Sequence, residues 1–243
     1  MSGPGLVLTV GLALVHAFVS KLNIFSFISE FRWMSFAGGV SIGYVFLEIF
    51  PELSHAQEAI EHSEVPLIAY VENHVYILSL LGLLVFYGLD IWALKSRQHN
   101  RNRNDQNRTQ HSVFWIHIAA FTVLNIIVGY LLQELSDHTL VRCLLFFGAM
   151  ALHFFIVDHG LREHHQAPYD RYGRWLLTMA IIVGAIAGQS IHLSEAGILA
   201  VWSFLAGSII LHILKQELPD EKESCFLSFA GGAALYTTLL LLV

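Results

Sequence analysis

The chain has 243 residues, of which 55% are apolar and only 13% charged, with a net charge of −6. A water-soluble domain carries about 25% charged residues, so a soluble globule, a disordered chain and a nucleic-acid binder are excluded. A β-barrel is excluded as well, because the apolar residues run together and do not alternate with polar ones over strands of about ten residues.

Eight nearly uncharged stretches follow one another at 5–21, 33–52, 74–94, 113–133, 139–159, 174–193, 196–215 and 225–243. Each is about long enough to cross a hydrocarbon core of about 30 Å as a helix. The expected fold class is therefore all-α: a polytopic membrane protein of eight transmembrane helices, with 1–243 forming a single integral-membrane domain. The first stretch has no basic segment before it and no clear small-residue cleavage site after it, so it reads as a retained helix and not a signal peptide. Cys143 and Cys225 sit at or near span ends and fit no thiolate-metal or disulfide pattern.

With eight crossings the connections alternate between two sides. Lys21, Arg32, Lys95, Arg97, Arg101, Arg103, Arg108, Arg162, Arg171, Arg174, Lys215 and Lys222 fall on one side, leaving Arg142 alone on the other. Basic residues concentrate in cytoplasmic connections, so both termini are expected on the exoplasmic side of a plasma or inner membrane. The outer connection from Pro51 to Asn73 is rich in Glu and His and has no Lys or Arg. If the second helix runs on past the membrane, His55, Glu58 and His62 share one of its faces at spacings of three and four, a surface that could gather divalent cations or simply be solvated. The segment 95–112 is polar and reads as a flexible cytoplasmic loop. The segment from Arg162 to Arg174 reads as a second cytoplasmic loop, anchored at the headgroups by Tyr169, Tyr172 and Trp175, and Asp158 is a candidate to pair with Arg162 at i+4.

The second and seventh spans align without a gap at an offset of 168 residues: Gly39 with Gly207, Ile42 with Ile210, Glu48 with Gln216, Pro51 with Pro219 and Glu52 with Asp220. Five crossings separate them, so the copies run in opposite directions. Inverted repeats are a common construction of secondary transporters.

The run Ala37-Gly38-Gly39 through Glu48-Ile49-Phe50-Pro51-Glu52 resembles the second helix of the ZIP (Zrt/Irt-like) metal-ion transporters, which ends in a His-Leu-Leu-Pro-Glu pattern. Ala206-Gly207 through Gln216-Glu217-Leu218-Pro219-Asp220 resembles their seventh helix, which ends in Asp-Leu-Leu-Pro-Glu. The resemblance implies eight helices, an inverted repeat of helices 1–3 and 6–8, and a metal path between the fourth and fifth helices. In the family those two helices carry His-Asn-x-x-Asp/Glu-Gly and His-Glu-x-x-His-Glu patterns. Here the fifth span offers His153 and Asp158 at the first and last of these positions, while Phe154 and Val157 replace the ligands between them. Aligning Gly129 with the family glycine puts Asn125 at a polar position of the fourth span and leaves it no carboxylate.

The metal-ligand candidates are thus His153, Asp158, Glu48 and Asn125, with His55, Glu58 and His62 as an outer gathering surface. Ionisable groups at membrane depth are costly, by about 2.5–3.5 kcal/mol on insertion scales, and usually face a bundle interior. The expected function is transport of a divalent cation, with Zn²⁺ or another dication as substrate and no cofactor implied. The expected partners are the lipid bilayer, that cation and a second copy of the chain in a homo-oligomer. Two readings stay open beside it. A transport-inactive protein of the same fold, with an interaction or regulatory role, is favoured by Phe154 and Val157. An intramembrane metal-dependent lipid hydrolase is disfavoured, because no His-x-x-x-His pair occurs.

Overall fold

The computed structural model describes residues 3–18, 30–61, 74–104, 109–136, 140–191, 193–217 and 225–242. They are almost entirely helical, and no strand occurs among them. Apolar runs fold this way because lipid offers no partner to a backbone amide or carbonyl, and a helix satisfies both within one segment. Among the described residues, five helical segments are long and apolar enough to cross a membrane: Arg32–Glu58, Val75–Asn102, His111–Gln133, Cys143–His165 and Gly197–Lys215. Gly5–Phe18 and Phe226–Leu241 are shorter apolar helices. Large apolar side chains such as Val7, Leu80, Leu84, Val123, Met179 and Ile186 are exposed, while His16, Asp90, His117, Asp158 and His165 are buried. That inversion of the soluble pattern suits a multi-pass membrane protein.

The chain groups into two units, Met1–Asn23 with Tyr87–His192 and Ile24–Phe86 with Leu193–Val243. The first contains α1 (Gly3–Phe18), the later part of α4 (His74–Asn104), α5 (His111–Ser136), α6 (Leu140–His165) and α7 (Arg174–Ser190). α5 lies along α7, and α1 packs on α5, α6 and α7. Leu12, Ile118, Met150, Leu177 and Ile181 fill the space between them.

Two expected loops of this unit are helical. α4 continues to Asn104, so the expected loop 95–112 is corrected: its first ten residues extend the helix, and 105–108 lie outside the described residues. Polarity alone misled there, because Lys, Arg and Gln are good helix formers. One side of the extension is also covered: Ser96 and Asn100 are buried, Ser96 Oγ accepts the Gln110 amide at 2.8 Å, and Arg97 pairs with Glu163 at 3.0 Å. The segment Arg162–Arg174 is likewise not a loop. α6 runs to His165, Gln166 turns the chain with φ 51°, and a π-helical turn at Tyr169–Gly173 leads into α7.

The second unit contains α2 (Glu30–Tyr44), a π-helical turn at Val45–Ile49, α3 (Phe50–Glu61), the early part of α4, α8 (Glu195–His212), a π-helical turn at Ile213–Glu217, and α9 (Phe226–Leu241). Pro51 accounts for the first π turn. It has no N–H to donate and its ring crowds the carbonyl four residues back, so the ladder widens and the Phe50 amide reaches Val45 O. α2 packs along α9. A Cβ at Gly39 would overlap the Phe229 carbonyl, and one at Gly232 would overlap that of Phe36. The same reciprocal contact joins α8 to α4, where Gly207 lies on the Ser79 carbonyl and Gly82 on that of Phe204.

Candidate functional site

His16 lies in the last turn of α1 and is wholly buried. Its Nδ1 stands 2.8 and 3.0 Å from the two carboxylate oxygens of Asp158 on α6. Its Nε2 stands 2.7 Å from Oδ1 of Asn125 on α5. Asp158 is wholly buried and Asn125 nearly so. The Asn125 amide nitrogen donates to the Phe121 carbonyl at 2.8 Å, one turn back on its own helix, which leaves Oδ1 as the atom facing the imidazole.

Both ring nitrogens therefore face oxygen acceptors. The hydrogen-bond partners assign one hydrogen to Nε2, donated to Asn125. A second lies between Nδ1 and Asp158, and it can rest on either: imidazolium with carboxylate, or neutral ring with carboxylic acid. In both forms the pair as a whole is neutral, the state that a low-dielectric interior favours.

The walls of this site are apolar. The Phe154 ring lies 4.4 Å from that of His16, centroid to centroid, and Phe154 and Val157 are both buried. Tyr169 stands beside Asp158 and is fully buried, so its expected role as a headgroup anchor is corrected. Burial, with the Asp158 carboxylate next, pushes its phenol well above the ordinary range. Tyr172 and Trp175 are exposed, each with an arginine over its ring: Arg171 at 5.2 Å and Arg174 at 5.0 Å. Next to Asp158 in sequence, His159 borders an open cleft of about 550 Å³ that is also lined by Arg97, Arg162, Glu163, Gln166 and Asp170.

The fourth- and fifth-span candidates Asn125 and Asp158 are thus brought together, through His16. His153 is buried on the same helix as Asp158, with its ring 6.2 Å from that of Phe154. Five residues from Asp158, it sits about 140° around a regular helix. Glu48 belongs to the other unit, half-buried in the π turn after α2. His55 and Glu58 are exposed on one face of α3, and His62 lies outside the described residues. Among the described residues, no three or more His, Cys, Asp and Glu side chains converge to hold a metal. The expected Asp158–Arg162 pair is corrected too. Asp158 turns inward to His16, and Arg162, at the exposed end of α6, holds Asp170 at 3.0 and 3.2 Å.

The residue that sequence reasoning missed is His16. Its signal was available, an ionisable side chain inside an apolar run, but nothing local ties it to a carboxylate 142 positions away. No protein-family profile matches this sequence, and no curated protein does.

Proposed function

We propose that the chain is a ZIP-like membrane protein of eight spans, both termini outside, which passes a divalent cation through the His16–Asp158–Asn125 site. The observation that carries this reading is that buried hydrogen-bonded chain on three helices of one unit. Imidazole and carboxylate suit zinc and iron. A dication that took Nδ1 and the Asp158 carboxylate would displace the one proton shared between them. The other ring hydrogen would stay on Nε2, donated to Asn125 Oδ1, which then orients the ligand as the outer partners of metal-bound histidines commonly do. Two protein ligands hold an ion loosely and leave the rest of its shell to water, which suits passage better than storage. The cleft at His159 offers the neighbouring aqueous space.

Two features of the second unit support the inverted repeat. The π turns at Val45–Ile49 and Ile213–Glu217 are related by the same 168-residue offset as Gly39 and Gly207. The glycine contacts pair α2 with α9 and α8 with α4 in the same reciprocal way, each glycine lying on a carbonyl three residues before its counterpart.

Full-length protein in liposomes loaded with a metal-sensitive dye tests the reading. Zn²⁺, Fe²⁺ or Mn²⁺ enters faster than into empty vesicles, Asp158→Asn abolishes the excess, and Asn125→Leu lowers it about tenfold. Equal entry of all three ions into loaded and empty vesicles would leave the second reading, a transport-inactive protein of this fold. That reading is favoured by the buried Phe154 and Val157 in place of ligands.

A further inference from the structure

A second buried polar chain lies in the same unit, built from residues that the cation reading does not use. Asp90 on α4, His117 on α5, His165 at the end of α6 and Thr109 just before α5 are all buried. Thr109 Oγ1 hydrogen-bonds His165 Nδ1. His165 Nε2 stands 3.0 Å from His117 Nδ1, and His117 Nε2 stands 3.3 Å from Asp90 Oδ1. That last link is at ion-pair distance but off the line of a hydrogen bond, and closing it takes a turn of the His117 ring. The Thr109 amide donates to the His164 carbonyl at 3.3 Å, which seats the hydroxyl. The Phe114 ring meets that of His165 edge-on, and the Phe121 ring lies tilted against that of His117.

We propose that Thr109, His165, His117 and Asp90 form a proton relay between the aqueous phase at the basic end of the helices and a buried carboxylate. Each member both accepts and donates, and the chain has two complete polarities. In one, the Thr109 hydroxyl donates to His165 Nδ1, His165 Nε2–H to His117 Nδ1, and His117 Nε2–H faces an ionised Asp90. In the other, protonated Asp90 donates to His117 Nε2, His117 Nδ1–H to His165 Nε2, and His165 Nδ1–H to the Thr109 oxygen. The two differ by one proton. A proton taken from water by the Thr109 oxygen releases the hydroxyl's own hydrogen to His165 Nδ1. His165 then passes its Nε2 hydrogen to His117, which passes its own to Asp90, and the carboxylate is neutralised with no other bond broken. Among the described residues, the charged and titratable groups facing the chain include His164 on α6 and Arg97 on α4, the latter held by Glu163.

The relay needs no metal, so it is tested with chelator present and stands or falls apart from cation passage. The full chain in lipid is taken through an acid jump while infrared absorption follows the carboxylic-acid C=O stretch. A band appears that Asp90→Asn lacks. It rises about a hundredfold more slowly in Thr109→Val, where a positioned proton carrier is lost, and at the native rate in Thr109→Ser. Circular dichroism and elution confirm that the variants fold, and His165→Leu gives a second break should Thr109→Val aggregate. Absence of any Asp90-dependent band, or a native rise rate with the relay broken, overturns the proposal.

Discussion

Removing His16 while Asp158 stays leaves a fully buried carboxylate that has lost the imidazole facing both its oxygens, with the Tyr169 phenol beside it. Breaking one side of a buried pair costs about 3–5 kcal/mol, whereas replacing both partners by apolar groups of similar volume is often close to neutral. His16→Leu and Asp158→Leu are each expected to lower stability by about that amount, and the double variant to lose far less than their sum. Thermal unfolding in detergent measures the cycle, and additive losses would mean that the two side chains do not bind each other. At this scale the sequence pointed to two of the three side chains that the structure brings together. Asn125 and Asp158 were legible because a family pattern and an apolar run point to them. His16 and Asp90 were not, although each is an ionisable group within a span, because their partners come from helices remote in sequence. Arg162 shows the opposite failure: a favourable i+4 spacing to Asp158 lost to Asp170, which the turn after Gln166 brings alongside.

Helix ends and interruptions decide where these side chains stand. Both Pro51 and Pro168 border π-helical turns, Val45–Ile49 before the first and Tyr169–Gly173 after the second. The second of these turns places Tyr169 beside Asp158, and its register depends on Gln166. That residue takes a left-handed backbone with φ 51° at the end of α6, a position where glycine is the usual choice. The left-handed conformation costs an ordinary residue about 1–2 kcal/mol and a β-branched one more. Gln166→Gly should therefore keep or raise thermal stability in detergent, and Gln166→Val should lower it by about 1–2 kcal/mol. Equal stability of the two variants would be incompatible with a left-handed turn there. The sequence shows why this stretch reads as a loop: it holds Pro168, a glycine and five charged side chains. Its helical form is set by packing, with Tyr169 and Gly173 buried against the unit, and composition does not report packing.

At the scale of the whole chain, what is most legible is what depends on the solvent alone. Uninterrupted apolar runs must become helices in lipid, and the five long segments with the two shorter ones overlap expected stretches, several of them running on past the expected end, as Val75–Asn102 and Cys143–His165 do. Orientation rests on a different force, the retention of Lys and Arg in the cytoplasm, and on the parity of the crossings, since one span more or fewer would divide the basic residues between the two faces. The cysteines give a direct check. Cys143 is wholly buried, while Cys225 is half-buried where α9 begins. With both termini outside, α9 starts on the cytoplasmic side. A membrane-impermeant maleimide should then label the protein in inverted vesicles and not in intact cells, and Cys225→Ser should remove the label where Cys143→Ser does not. Labelling of Cys225 from outside intact cells would put the twelve basic residues on the exoplasmic face, and either the parity of the crossings or the charge rule would have to give way.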